Sequence, residues 1–150
     1  MSDCVRWIVE DFNELSTESL YRILRLRSEV FVVEQNCIYQ DIDAKDQKAV
    51  HLMGYLDEDL VAYCRLFRPG DYFEEASIGR VATSPRCRNR NLGNTLLEKA
   101  VGEMESRLGK IPITISAQLY LKQFYEKHGF EQTSEMYLED DIPHIRMRRI

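Results

Sequence analysis

A chain of 150 residues with 44% hydrophobic and 30% charged side chains can bury one sizeable core and has the balance of an ordinary globular domain. A net charge of −5 and a pI near 5.3 oppose bulk attraction to nucleic acid or anionic lipid. No apolar run nears membrane-spanning length and no leader-like segment opens the chain, and the four scattered cysteines lack zinc-ligand spacing, so a cytoplasmic protein with reduced thiols and no metal is expected.

Taken in chain order, Val5, Trp7 and Val9 alternate with Arg6, Ile8 and Glu10 as a first strand. Ser16 suits the N-cap of a helix carrying Leu20, Ile23, Leu24, Arg27, Val30 and Phe31 on one face. After Val33 the chain turns irregular and polar. Asp41, Asp43 and Asp46 lie there; D-x-D-x-x-D hints at calcium but lacks the EF-hand spacing, glycine and closing glutamate, so a solvated loop is expected. His51–Tyr55 and Val61–Phe67 read as a hairpin around LDEDL, and Pro69-Gly70 breaks the pattern. Ser77–Thr83 is the next strand, ended by Ser84-Pro85.

Leu92, Leu96, Leu97, Ala100, Val101, Met104 and Leu108 then repeat at helical spacing, up to a C-cap at Gly109. Pro112–Ala117 reads as a short apolar strand and Leu119–Lys127 as a short helix stopped by Gly129. Phe130–Leu138 and His144–Met147 read as two closing strands joined by EDDIP. This mixed order implies one α/β domain over residues 1–150, with helices on a largely antiparallel sheet.

The stretch VATSPRCRNRNLGN, Val81 to Asn94, joins a strand end to a helix start through Arg86, Arg88 and Arg90. The first N–H groups of a helix lack partners and carry positive partial charge, so they suit a phosphate, and Arg88 or Arg90 could add charge-assisted bonds. A solvated basic loop with an Asn-capped helix fits the same residues. The overall acidity favours a small anionic ligand over a polyanion, and Cys87 beside it reads as a bystander thiol.

Arg88-Asn89-Arg90-Asn91-Leu92-Gly93, with Asn94 following, resembles the Arg/Gln-x-x-Gly-x-Gly/Ala signature of the GNAT superfamily of N-acetyltransferases. The resemblance implies that this loop holds the pyrophosphate of acetyl-CoA. Asn91 stands where the first glycine is usual, and asparagine tolerates left-handed backbone better than most residues. Gln118 to Phe130, QLYLKQFYEKHGF, is similar to a later motif of that superfamily; Tyr125, Gly129 and Phe130 fit it, while Gln118 and Phe124 stand where Asn and Leu are usual. LRSEVFVVEQNCIYQDID (26–43), SAQ (116–118) and YLEDDIPHIRM (137–147) resemble the ElaA-type branch.

The resemblance implies a GNAT fold: a mostly antiparallel sheet of six to seven strands, about four flanking helices, and a splay between the fourth and fifth core strands. It further implies an acetyl-CoA-dependent N-acetyltransferase acting on a primary amine of a small molecule or peptide. The pantetheine arm would pair with backbone of Val81, Ala82 and Thr83, where an N–H would meet the thioester oxygen. Tyr125 would be the general acid to the departing thiolate.

A lysine-like amine, with pKa about 10.4, costs roughly 4.6 kcal/mol to deprotonate at pH 7, so a general base is wanted. Glu34, His51 and His144 are candidates, with Asp140 and Asp141 behind them; a lone histidine in a strand-like segment, as His144 is, is more often structural. The acidic groups could instead select a cationic acceptor. A homodimer through the C-terminal strands is common in the superfamily. Two other readings are a non-catalytic CoA-binding or regulatory module, and an acyl-homoserine-lactone synthase-like enzyme, which RSEVFVVEQ resembles at the start of that fold. Nucleic acid is not an expected partner.

Overall fold

Period-two alternation in the central strands decides how the molecule is layered. The computed structural model describes residues 4–150. Strands β1 (Arg6–Asp11), β2 (Val50–Leu56), β3 (Asp59–Phe67) and β4 (Ser77–Thr83) form one antiparallel sheet in that order. Between β1 and β2 lies helix α1 (Thr17–Arg27), capped by Ser16, whose side chain accepts from the Ser19 N–H at 3.0 Å. It runs on as a π-helical turn over Ser28–Glu34.

Side chains of β2 and β3 point alternately to the two faces. Leu52, Cys64 and Leu66 pack on one face with Leu96, Leu97, Ala100 and Met104 of helix α2 (Leu92–Leu108). Met53, Tyr55 and Tyr63 pack on the other with Ile23, Leu26 and Val30 from the α1 side. Both faces are therefore covered, which is why these strands read as nearly continuous apolar runs. Leu97 is fully buried, and its truncation to alanine is worth about 2–5 kcal/mol.

The second sheet holds β5 (Ile113–Gln118), β6 (Glu131–Gln132), β7 (Tyr137–Glu139) and β8 (Ile142–Arg149), with β8 pairing antiparallel to the other three. At the root of β4 and β5 a parallel bridge joins Ala76, just before β4, to Ile113, and the Thr114 N–H donates to the Ala76 carbonyl at 2.8 Å. Beyond that bridge they splay, as the resemblance implies, and a cleft opens between them. Among the described residues no helix is long and apolar enough to cross a membrane.

Three local expectations are corrected. Phe130–Leu138 is not one strand: Phe130 is buried core, and the chain between β6 and β7 turns through Ser134, whose hydroxyl accepts from the Arg146 N–H at 2.9 Å. Leu119–Lys127 is a 3-10 turn (Leu119–Leu121) followed by the short helix α3 (Lys122–Glu126). Residues 41–46 are not a solvated acidic loop. Asp41 and Asp46 are buried, and their oxygens meet buried arginines from the helix and the sheet.

Candidate active site in the strand splay

The splay opens a cleft of about 720 Å³ between β4 and β5. The end of β4 forms one wall, and alternation sorts its residues. Val81 and Thr83 line the cleft, whereas Ala82 faces the opposite side and packs with Ile23 and Tyr63. β4 also carries a bulge. Tyr63 pairs with Ala82 and Arg65 with Gly79, so Cys64 alone opposes two residues, Arg80 and Val81. Arg80 takes the left-handed conformation, φ 52°.

After β4, Ser84 caps a 3-10 segment, Pro85–Arg90, by accepting from the Arg86 N–H at 3.3 Å. Asn91 then reverses the chain with φ 60° and ψ 26°, the left-handed geometry that asparagine tolerates where the motif expects glycine. Its side chain does not cap α2; Oδ1 accepts from the Asn94 amide at 2.6 Å. The helix start thus has no side-chain cap and opens toward the cleft, which Asn91, Gly93 and Asn94 line. A Cβ at Gly93 would sit 3.5 Å from the Phe124 ring, in ordinary contact, so packing alone does not demand glycine there. Asn89, Arg90 and Leu92 lie outside the cleft lining, and Leu92 is core beside Val61 and Cys87.

Arg88 lines the cleft and is engaged. It forms a bidentate ion pair with Glu34, with Nη2 to Oε1 at 2.6 Å, and donates to the Thr83 carbonyl at 3.1 Å. Two residues assigned separate roles from sequence therefore meet. The hydrogen bond to Glu34 raises the Arg88 pKa further above its ordinary value.

Tyr125 projects from α3 into the cleft, 6% exposed, with Phe124 and Phe130 edge-on at 5.1 and 5.8 Å between ring centres. Burial pushes its phenol well above the ordinary tyrosine value, so it stays protonated through neutral and alkaline pH. Gln118, at the end of β5, forms a reciprocal amide pair with Gln35, both bonds 3.2 Å, across the cleft mouth.

His144 of β8 is buried and lines the far end. Its Nδ1 is 2.7 Å from the Ile142 carbonyl, so the proton belongs on Nδ1, and Nε2 lies 3.5 Å from Glu139 Oε2. Asp140 lines the same end and Asp141 does not. His51 is away from the cleft lining: Nδ1 accepts from the Tyr63 hydroxyl at 2.7 Å and Nε2 donates to the Asp46 carbonyl at 2.9 Å. Burial lowers its pKa and holds it neutral. It is a satisfied core histidine, and the expectation of a base there is corrected.

Sequence reasoning missed Arg80, Tyr39 and Gln35 as cleft residues. The signal for Arg80 was an arginine inside an apolar strand; the other two lie in the stretch 26–43, whose resemblance to the ElaA-type branch implied no role for either.

The GNAT acetyltransferase domain model matches residues 11–150. Protein ElaA of Escherichia coli (strain K12) is 40% identical over 147 residues, covering 97% of this chain and 96% of its own length. The crystal structure of E. coli ElaA superposes with a TM-score of 0.92 at 39% identity, covering 98% of this chain and 100% of that one. An acyl-CoA N-acyltransferase from Pseudomonas aeruginosa superposes at 0.91 with 42% identity, covering 97% and 99%. A GNAT family acetyltransferase from Elizabethkingia anophelis, solved with acetyl-CoA bound, shares the fold at a TM-score of 0.69 and 15% identity, covering 98% of both chains. Matched along nearly its whole length both by the domain model and by ElaA, the chain belongs to the GNAT acetyltransferase family and is ElaA-like within it.

Proposed function

We propose that the protein is an acetyl-CoA-dependent N-acetyltransferase that moves the acetyl group directly to a primary amine of a small molecule or peptide. The observation that carries this reading is the splay itself: an uncapped helix start, an unpaired bulge and a buried protonated tyrosine face one cleft. The residues fit the cofactor. Amides at the start of α2, with Arg88, would hold its pyrophosphate, and the β4 backbone at Val81–Thr83 would hold its arm. Acetyl-CoA would supply the activated acyl group. The E. anophelis acetyltransferase of the same fold was solved with that molecule bound.

The protein's own groups would do the rest. His144 is the better-placed base, since Ile142 holds its Nδ1 proton and leaves the Nε2 lone pair for the acceptor, while Glu34 is already paired with Arg88. His144 Nε2 takes a proton from the acceptor ammonium, and Glu139 stabilises the imidazolium that results. A backbone N–H at the bulge steadies charge on the carbonyl oxygen as nitrogen bonds to carbon and the carbon–sulfur bond breaks. Tyr125 gives its proton to the departing sulfur and is restored by the second proton shed from nitrogen, so one proton is released per turnover.

Thiol release from acetyl-CoA, followed across a panel of polyamines, amino acid amides and peptide N termini, tests this. Tyr125→Phe should lower kcat about 10²-fold with acetyl-CoA binding kept. Unchanged turnover would remove Tyr125 as the acid, and no turnover of any amine despite tight binding would favour a non-catalytic CoA-binding module.

A further inference from the structure

The buried carboxylate of Asp41 accepts three hydrogen bonds beside the cleft, although the reaction proposed above has no step for it. Oδ1 accepts from Arg80 Nε at 2.7 Å and from the Tyr39 hydroxyl at 3.0 Å, and Oδ2 accepts from Arg27 Nε at 2.9 Å. The Asp41 carbonyl accepts from Arg27 Nη2 at 3.0 Å and from Arg80 Nη2 at 3.2 Å. Arg27 is fully buried and also binds Asp46, so Asp41 is fixed to α1 from behind. The Tyr39 ring lies 5.7 Å from the Arg80 guanidinium.

Arg80 is the bulge residue. Its backbone is left-handed, a conformation in which an L side chain is strained and which persists only where the surroundings over-determine it. Glycine would take that conformation without strain, so the arginine side chain must have another use. Its direct neighbour, Val81, begins the backbone stretch assigned to the thioester. A bulge commonly re-aims groups beside an active site, and a donor misplaced by about 1 Å forfeits much of its effect.

We propose that Asp41 and Arg80 are positioning residues for acyl transfer: the buried carboxylate holds the bulge guanidinium, and that hold fixes the orientation of the Val81 N–H. The inference rests on the proposed function. It concerns how the donor is held, and neither side chain touches a reacting atom. The Asp41–Tyr39–Arg80 set thereby ties the loop at residues 36–46 to the chemistry of the cleft.

The test uses the full chain and acetyl-CoA alone, read by proton–nitrogen correlation spectra with assigned amides, with calorimetry on the same samples. In the wild type the Val81 amide and the first amides of α2 should both shift on binding. In Arg80→Gly the α2 amides should still shift, acetyl-CoA affinity should stay within about threefold, and the Val81 shift should be lost. Arg80→Lys, which keeps charge against Asp41, should restore part of it. Asp41→Asn should behave like Arg80→Gly; should it fail to fold, the Arg80 variants decide alone. An unaltered Val81 shift in Arg80→Gly overturns the inference. So does an affinity loss above about tenfold with that shift kept, since Arg80 would then bind ligand directly. Absence of any binding by the wild type would remove the proposed function, and this inference with it; binding with α2 shifts but none at Val81 would overturn the inference alone.

Discussion

Replacing Asp46 by asparagine removes one buried charge and almost no volume. Asp46 Oδ1 accepts from Arg27 Nη1 at 2.6 Å and from Arg65 Nη1 at 2.9 Å, and both arginines are essentially inaccessible to water. Three arginines (Arg27, Arg65, Arg80) are matched there by three aspartates (Asp41, Asp43, Asp46), so the variant leaves a net positive charge in a low-dielectric site. Breaking such a set by removing one partner costs about 3–5 kcal/mol. At about 2.1 cal/mol/K per residue, 150 residues have an unfolding entropy near 0.3 kcal/mol/K, so the melting temperature should fall about 10–16 °C. Thermal unfolding followed by circular dichroism reads this directly, with the exposed Glu58→Gln as a control expected within about 0.5 kcal/mol of wild type. A drop of only about 2 °C for Asp46→Asn would refute the idea that the network is a charge-balanced clamp.

Glu34→Gln should free Arg88 from its exposed ion pair, worth about 0.2–1 kcal/mol, and so tighten acetyl-CoA binding about 1.5- to 5-fold by calorimetry; weaker binding would mean that Glu34 orients Arg88 rather than competing for it. Acid should lower stability in two pH windows. Burial keeps the His51 pKa below its unfolded value of about 6.5, so its contribution is present above that pH and is lost as pH falls below it. Burial pushes the Asp43 carboxyl up, but hydrogen bonds and charge from Arg65, joined by Arg80, outweigh this and bring it to about 2, so its contribution is lost as pH falls from about 4 toward 2. Melting temperature measured against pH, with His51→Gln lacking the upper window, checks both; a flat curve from pH 7 to pH 5 would contradict the first. Because burial raises the Tyr125 pKa, kcat should not decline between about pH 8 and 10, and an alkaline loss below about pH 9 that disappears in Tyr125→Phe would count against its protonated state.

What could be read from the sequence was local. Helix α2 and strands β2 to β5 follow from apolar spacing over adjacent residues, and the loop at Arg88–Gly93 and Tyr125 were singled out by contiguous motifs. Even the left-handed turn at Asn91 follows from one residue's tolerance. The acidic stretch at residues 41–46 was visible but misread as solvated, because its partners lie far along the chain: Arg27 is 14 residues before Asp41 and Arg80 is 39 after it. No periodicity encodes such pairings. The Arg88–Glu34 pair, 54 residues apart, was hidden for the same reason, although both residues had been singled out. The break between β6 and β7 escaped because the hydrogen bond that closes its turn, from the Arg146 N–H to Ser134, comes from 12 residues further along the chain. The bulge at Arg80 is a register property of two strands and appears in neither strand alone.

The central claim is that the cleft holds acetyl-CoA through the loop after β4. Calorimetric titration of the wild type and of Arg88→Ala with acetyl-CoA, and separately with CoA, tests it most directly. Binding of both ligands with Kd of about 1–100 μM, weakened about tenfold or more in Arg88→Ala, is the predicted result. No heat and no competition with either ligand at about millimolar concentration would contradict the claim, because a GNAT fold with an uncapped α2 would then have no phosphate role for that loop.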